Sequence, residues 1–106
     1  MANSRPDPTA GVYGISVASD LAGVGAQSLR QYEREGLVTP SRTDGGTRRY
    51  SDDDLHRVRR ITDLLEAGLN LAGVALVLDL EDDNVELRAQ LAAAMAEKPR
   101  SRRRRR

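Results

Sequence analysis

Residues 15–50 read ISVASDLAGVGAQSLRQYEREGLVTPSRTDGGTRRY, and the spacing of apolar residues between glycines in this stretch decides the fold. Val17, Ala18, Leu21 and Ala22 recur at the spacing of one helix face, so a short helix is expected with Ser16 at its N-cap. Gly23-Val24-Gly25 interrupts it. A second helix is expected from about Ala26 to Glu35, with Leu29 and Tyr32 on one face and Gly36 stopping it. Two short helices joined by a tight glycine turn make a helix-turn-helix. Leu37-Val38 and Thr47 to Tyr50 then flank Asp44-Gly45-Gly46, a turn sequence suited to positive φ, which predicts a small β-hairpin. The hairpin carries Arg42, Arg48 and Arg49.

Beyond the hairpin, Ser51-Asp52-Asp53-Asp54 opens a third helix. A serine followed three residues later by an acid is a capping box, and acids favour the positive end of a helix. Leu55, Val58, Ile61, Thr62 and Leu65 form its apolar face and Gly68 ends it. Asn70 is placed to cap a fourth helix bearing Leu71, Val74, Val77, Leu78 and Leu80. Residues 82–97 read as a last amphipathic helix with Leu87, Leu91, Ala94 and Met95 on one side. Leu80, Leu87 and Ala94 lie seven apart with Asn84 and Leu91 between them, a short coiled-coil seam. Leu87, Leu91 and Ala94 are therefore predicted at a dimer interface. Pro99 is expected to end that helix.

The expected fold class is all-α with a small β-wing, a winged helix-turn-helix followed by a short coiled-coil dimerisation helix. Residues 1–11, with Pro6, Pro8 and Gly11, read as a disordered arm, 12–81 as the winged domain and 82–98 as the dimerisation helix. Residues 99–106 read as a disordered Arg-rich tail.

Composition narrows the function. Of 106 residues, 39% are hydrophobic and none is Phe or Trp, so the core must be built from Leu, Val, Ile and Ala. Such a small aliphatic core is marginal alone, and oligomerisation would support it. The absence of cysteine excludes disulfides, thiolate metal sites and Cys nucleophiles. The single histidine, His56, lies in a polar run and reads as an exposed residue; no metal site and no cofactor are expected. Acid clusters fall at helix starts, and no phosphate loop, nucleophile elbow or metal triad is present, so no enzyme is expected. With no membrane-length apolar run and no signal-peptide core, the chain is expected in the cytoplasm. The net charge of +1 conceals an asymmetry: six arginines crowd residues 100–106, and 26–60 hold eight arginines against six acids. Negative charge lies between these basic blocks, a split that points to an anionic partner touching selected faces.

Double-stranded DNA is such a partner. A second helix entering the major groove would present Gln27, Ser28, Arg30, Gln31 and Arg34 to base edges or phosphates, each against the alternative of a solvated helix face. Arg48, Arg49 and Tyr50 are expected on sugar-phosphate, with one of the two arginines packing on the domain instead, since adjacent strand residues point to opposite faces. Tyr32 either packs or reaches a phosphate through its hydroxyl. Arg42 either serves the wing or is simply exposed, and Arg57, Arg59 and Arg60 read as solvated. The terminal arginines are either a solubilising tail or a sequence-blind anchor on DNA.

The run from Ile15 to Ile61 resembles the N-terminal DNA-binding domain of MerR-type regulators, through LRxYExxGL, a glycine-containing wing and RRYS in that order. The likeness continues through LLEAGLNLAGVALVLDLE and so covers Tyr13 to Glu81. ISVAS, LRQYEREGLV, RTDGG and NLAGV are similar to the heat-shock repressor branch. Gly25 departs from the serine common in the family before the recognition helix, and VALVL replaces basic residues usual in that branch after Gly73. The resemblance implies DNA contact by Arg30 and a homodimer formed by antiparallel pairing of the last helices. It also implies a nucleoid-associated repressor of chaperone operons, acting on inverted-repeat operators with a DnaK-type chaperone as corepressor. The rival readings are a ligand-responsive MerR-type activator or repressor with an apolar pocket in the dimer, and an architectural protein that bends DNA through its Arg tail.

Overall fold

A computed structural model of the chain describes the backbone of residues 7–104 and the side chains of residues 7–97. Among them are helices α1 (Ile15–Ala22) and α2 (Ala26–Arg34), strands β1 (Ser41–Arg42) and β2 (Arg48–Arg49), and helices α3 (Asp52–Glu66) and α4 (Leu71–Arg104). They fall into two compact units, one ending at Val74 and the other beginning at Ala75.

In the first unit α1 packs on both α2 and α3. Its core holds Ala18, Leu29, Leu37, Val38, Leu55, Val58, Ile61, Leu64 and Val74, and two of the three tyrosines, Tyr32 and Tyr50, complete it. Each fully buried Val, Leu or Ile side chain contributes about 1.5–3 kcal/mol through water exclusion, which makes these residues the main source of stability. The expected capping box is present: Ser51 Oγ accepts the Asp54 N–H and Asp54 Oδ2 accepts the Ser51 N–H, both at 2.9 Å. Asn70 Oδ1 accepts the Gly73 N–H at 2.8 Å and so caps the start of α4. Gly36 and Gly68 take positive φ, as chain reversals after α2 and α3 require.

Several boundaries differ from the sequence expectations. Helix α1 starts at Ile15 with Gly14 at its N-cap, so Ser16 lies inside the helix. The start is set from outside: Tyr13 forms an antiparallel bridge with Tyr50, and the chain turns into helix directly after it. Leu37 and Val38 do not begin the hairpin but are buried, because two large apolar residues gain more in the core than on a two-sided ribbon. The strands pair later, Ser41 with Arg49 and Arg42 with Arg48. The turn between them is closed by the Gly46 N–H on the Thr43 carbonyl.

Residues 7–11 of the expected disordered arm are ordered. Asp7 Oδ1 accepts the Thr9 N–H at 2.9 Å and the Thr9 hydroxyl at 2.7 Å, and the Pro8 carbonyl accepts the Asp53 N–H at 3.0 Å. That N–H is one of the unsatisfied donors in the first turn of α3, which gives the arm a place to bind. The rest of the expected arm, residues 1–6, lies outside the described residues.

The second unit is helical from its first residue. Helix α4 runs unbroken across residues 80–82, where a division was expected, and passes Pro99 to Arg104. Between Val74 and Lys98 there is neither glycine nor proline, and Ala, Leu, Glu and Arg favour the helix. Pro99 removes one backbone bond, at about 3 kcal/mol, and the arginines after it are good helix formers. The expectation of a disordered tail from residue 99 is corrected to that extent, and its last residues, 105–106, lie outside the described residues. Val85, Leu87, Leu91 and Met95 are all exposed along this helix.

Candidate nucleic-acid interface

Helix α2 buries Leu29 and Tyr32 and turns the rest of its surface outward. Gln27, Gln31 and Arg34 are exposed, while Ser28, Arg30 and Glu33 are half-buried. Positions 27, 31 and 34 share one helix face, with Arg30 beside it, so the groups expected to meet DNA form one stripe of amide and guanidinium donors. Tyr32, 6% exposed, takes the packing role.

The hairpin lies beside this stripe. Arg42 and Arg48 are directly opposite in the ladder and therefore share a face, while Ser41 and Arg49 share the other. Arg42 Nη2 meets Glu33 Oε2 at 2.7 Å, and Arg48 Nε meets Glu33 Oε1 at 2.5 Å. Arg42 also donates through Nη1 to the Gly46 carbonyl at 2.9 Å. Both adjacent wing arginines are half-buried and lie against the domain on opposite faces, Arg48 on Glu33 of α2 and Arg49 beside Gly11 and Gly14. The Arg48 hydrogen bond holds the Glu33 carboxyl below its ordinary value, against a smaller opposing effect of burial. Glu33 is not among the site residues expected from sequence. The signal available was an acid on an otherwise basic outward face, within reach of a run of arginines.

Tyr50 does not occupy the place expected of it. Its side chain is fully buried, and its backbone exchanges hydrogen bonds with Tyr13, N–H to carbonyl at 2.7 and 2.9 Å. The expected sugar-phosphate contact is not available to a ring in the core. Its hydroxyl has no hydrogen-bond partner among the described residues, and burial pushes its ionisation up. The α3 cations are not simply solvated: Arg57 Nε donates to the Leu37 carbonyl, and Arg59 Nη2 to the Leu21 carbonyl at 3.3 Å. His56 is exposed. No cluster of three metal-ligating side chains occurs among the described residues, and no described helix is long and apolar enough to cross a membrane.

Two short helices meeting at a glycine turn, a donor-rich face on the second and a basic two-stranded ribbon clamped beside it define a winged helix-turn-helix domain. Residues 13–81 match the MerR HTH family of regulatory proteins, and the chain belongs to that family. HspR of Streptomyces coelicolor, described as a heat shock protein, is 48% identical over 88 residues, covering 79% of this chain and 58% of HspR. The transcriptional regulator GlnR of Bacillus anthracis is 37% identical over 78 residues, covering 74% of this chain and 60% of GlnR. The chain thus spans about three fifths of the length of these two relatives. Among solved structures, the MerR family regulator HiNmlR, which lacks the sensor domain and was determined bound to promoter DNA, is 31% identical with a TM-score of 0.60, over 74% of this chain and 63% of its own. The N-terminal part of the Bacillus subtilis multidrug transporter activator, MtaN, is 32% identical with a TM-score of 0.62, over 84% and 87%. The family is one of regulatory proteins, not of enzymes.

Proposed function

We propose that this protein is a transcriptional repressor that binds double-stranded DNA as a homodimer and controls heat-shock or chaperone genes. The observation that carries the reading is the outward face of α2, where Gln27, Arg30, Gln31 and Arg34 stand together beside the wing. Amide and guanidinium groups are the ones that form paired hydrogen bonds to adenine and guanine edges. Ser28 and Arg49, with the exposed parts of Arg42 and Arg48, then serve the phosphates. Likeness to HspR supports the heat-shock assignment, and the determination of HiNmlR on promoter DNA supports the mode of binding.

The homodimer is proposed from α4, where Leu87 and Leu91 are 61% and 60% exposed in the single chain, with Ala94 exposed on the same seam. Residues 12–81 then act as the DNA-binding domain and 82–98 as the dimerisation segment. Two-fold symmetry requires an inverted-repeat site. A DnaK-type chaperone serves as corepressor, the protein resides on the nucleoid, and the terminal arginines add sequence-blind affinity. The test is immunoprecipitation of the protein with its genomic DNA, followed by footprinting of the recovered sites. A two-fold symmetric footprint upstream of chaperone genes is expected. Recovery of DNA without a common inverted repeat overturns the reading in favour of an architectural role.

A further inference from the structure

Glu33 stands on the surface where a negative charge is least expected. It sits on α2 between the outward stripe and the wing, 21% exposed, and both its oxygens are engaged by arginines from different strands. Arg42 and Arg48 face one another directly across the hairpin, and like charges so placed repel and destabilise a two-stranded ribbon. The strands, Ser41–Arg42 and Arg48–Arg49, are short. Backbone bonds at the turn and the segment before α1 hold one side of the ribbon, but on the face toward α2 the two arginines meet, among the described residues, only Glu33 and, from Arg42, the Gly46 carbonyl. The carboxylate between the two guanidinium groups converts that repulsion into attraction. It also fixes the hairpin to α2, because the two ion pairs span 9 and 15 residues of chain. Arg48 pairs through Nε and Arg42 through Nη2, with Arg42 Nη1 on the Gly46 carbonyl; the Arg48 side chain remains 29% exposed and that of Arg42 44%.

We propose that Glu33 is the positioning residue of the wing: it holds Arg42 and Arg48 side by side at a set offset from α2, so that their exposed parts form one preformed cationic surface for phosphate. The inference rests on the reading of this face as a DNA-binding one. It deepens that reading by assigning an acid a favourable role in binding a polyanion. The two possible roles of Glu33 have opposite signs. If it were merely a charge near DNA, its removal would tighten binding. As a clamp, its removal frees a repelling pair and costs affinity.

The experiment compares the full chain with Glu33→Gln and Glu33→Asp for binding to a fluorescent duplex of mixed genomic sequence, by anisotropy across a series of salt concentrations. Glu33→Asp keeps the charge but is one methylene too short to grip both arginines. Weaker binding is expected for both variants, and the slope of log affinity against log salt should flatten by about 0.9 for each phosphate no longer neutralised. Thermal melting by circular dichroism checks that each variant folds; should Glu33→Gln fail to fold, Glu33→Asp carries the test. Tighter binding by folded Glu33→Gln, or unchanged affinity and slope for Glu33→Asp, overturns the proposal. Failure of the unaltered protein to bind the duplex overturns the DNA-binding reading itself, so the two failures are distinct.

Discussion

Gly11 and Ser41 approach so closely that a Cβ on Gly11 would lie 2.2 Å from the serine Oγ, and 2.8 Å from the carbonyl oxygen of Arg49. The next residue, Val12, donates its N–H to the Tyr50 carbonyl at 3.0 Å, so the segment before α1 runs hard against the wing. Gly11→Ala should therefore destabilise the first unit. The second obstacle is backbone, which cannot swing aside, and such overpacking costs about 1–3 kcal/mol. At roughly 4–8 °C per kcal/mol for a small domain, the loss is readable as a lower Tm. Gly14→Ala meets only the Nη1 end of Arg49, at 3.2 Å, and should change Tm much less.

The cap of α3 makes a second test. Ser51→Ala removes the acceptor for the Asp54 N–H and breaks the reciprocal box. A loss of about 1 kcal/mol is expected in urea unfolding. An unchanged midpoint would mean that the three first-turn acids hold the helix start without the serine.

Two tyrosines couple stability to alkaline pH. Tyr13 donates its hydroxyl to Asp52 Oδ1 at 2.8 Å, and that hydrogen bond raises its ionisation above the ordinary 10.0. Burial does the same for Tyr50. A raised folded value means that stability is fully present below pH 10.0 and is lost as pH rises through the folded values. Tm should therefore fall above about pH 10, with the rise of tyrosinate absorbance displaced to higher pH than in the unfolded chain. Tyr13→Phe should lessen the alkaline loss.

For the dimer, Leu91→Asp places a charge in the proposed α4 seam without touching the core of the first unit. Analytical ultracentrifugation should then show monomers and a greatly weakened affinity for an inverted-repeat site. A monomeric unaltered protein at concentrations that saturate the site would sink the idea.

Base reading and phosphate binding separate by mutation. Arg30→Ala should narrow the gap between operator and random DNA, since an arginine–base pair carries about 1–3 kcal/mol of discrimination. Removal of residues 99–106 should instead weaken both by similar factors and flatten the salt slope. If tail removal abolishes operator preference while Arg30→Ala does nothing, specificity lies outside the helix-turn-helix.

The sequence by itself determined what depends on neighbours within a turn or two. Ser51 with Asp54, Asn70 with Gly73, and the glycines after α2 and α3 are local arrangements, and a helix cap needs only the next four residues to form. The winged helix-turn-helix and the outward stripe of α2 were legible for the same reason, because helical spacing assigns faces. Tertiary structure alone decided which way the wing residues point. Strand parity depends on register with a partner, and the pairing of Arg42 with Arg48 turns both toward Glu33. The same holds for Tyr50, drawn inward by its bridge to Tyr13, on the far side of the helix-turn-helix in sequence. It holds too for residues 7–11, whose order comes from a donor on α3 that no local pattern reveals. Such long-range pairings form only when the whole chain has folded, and the charge of Glu33 acquires its meaning there.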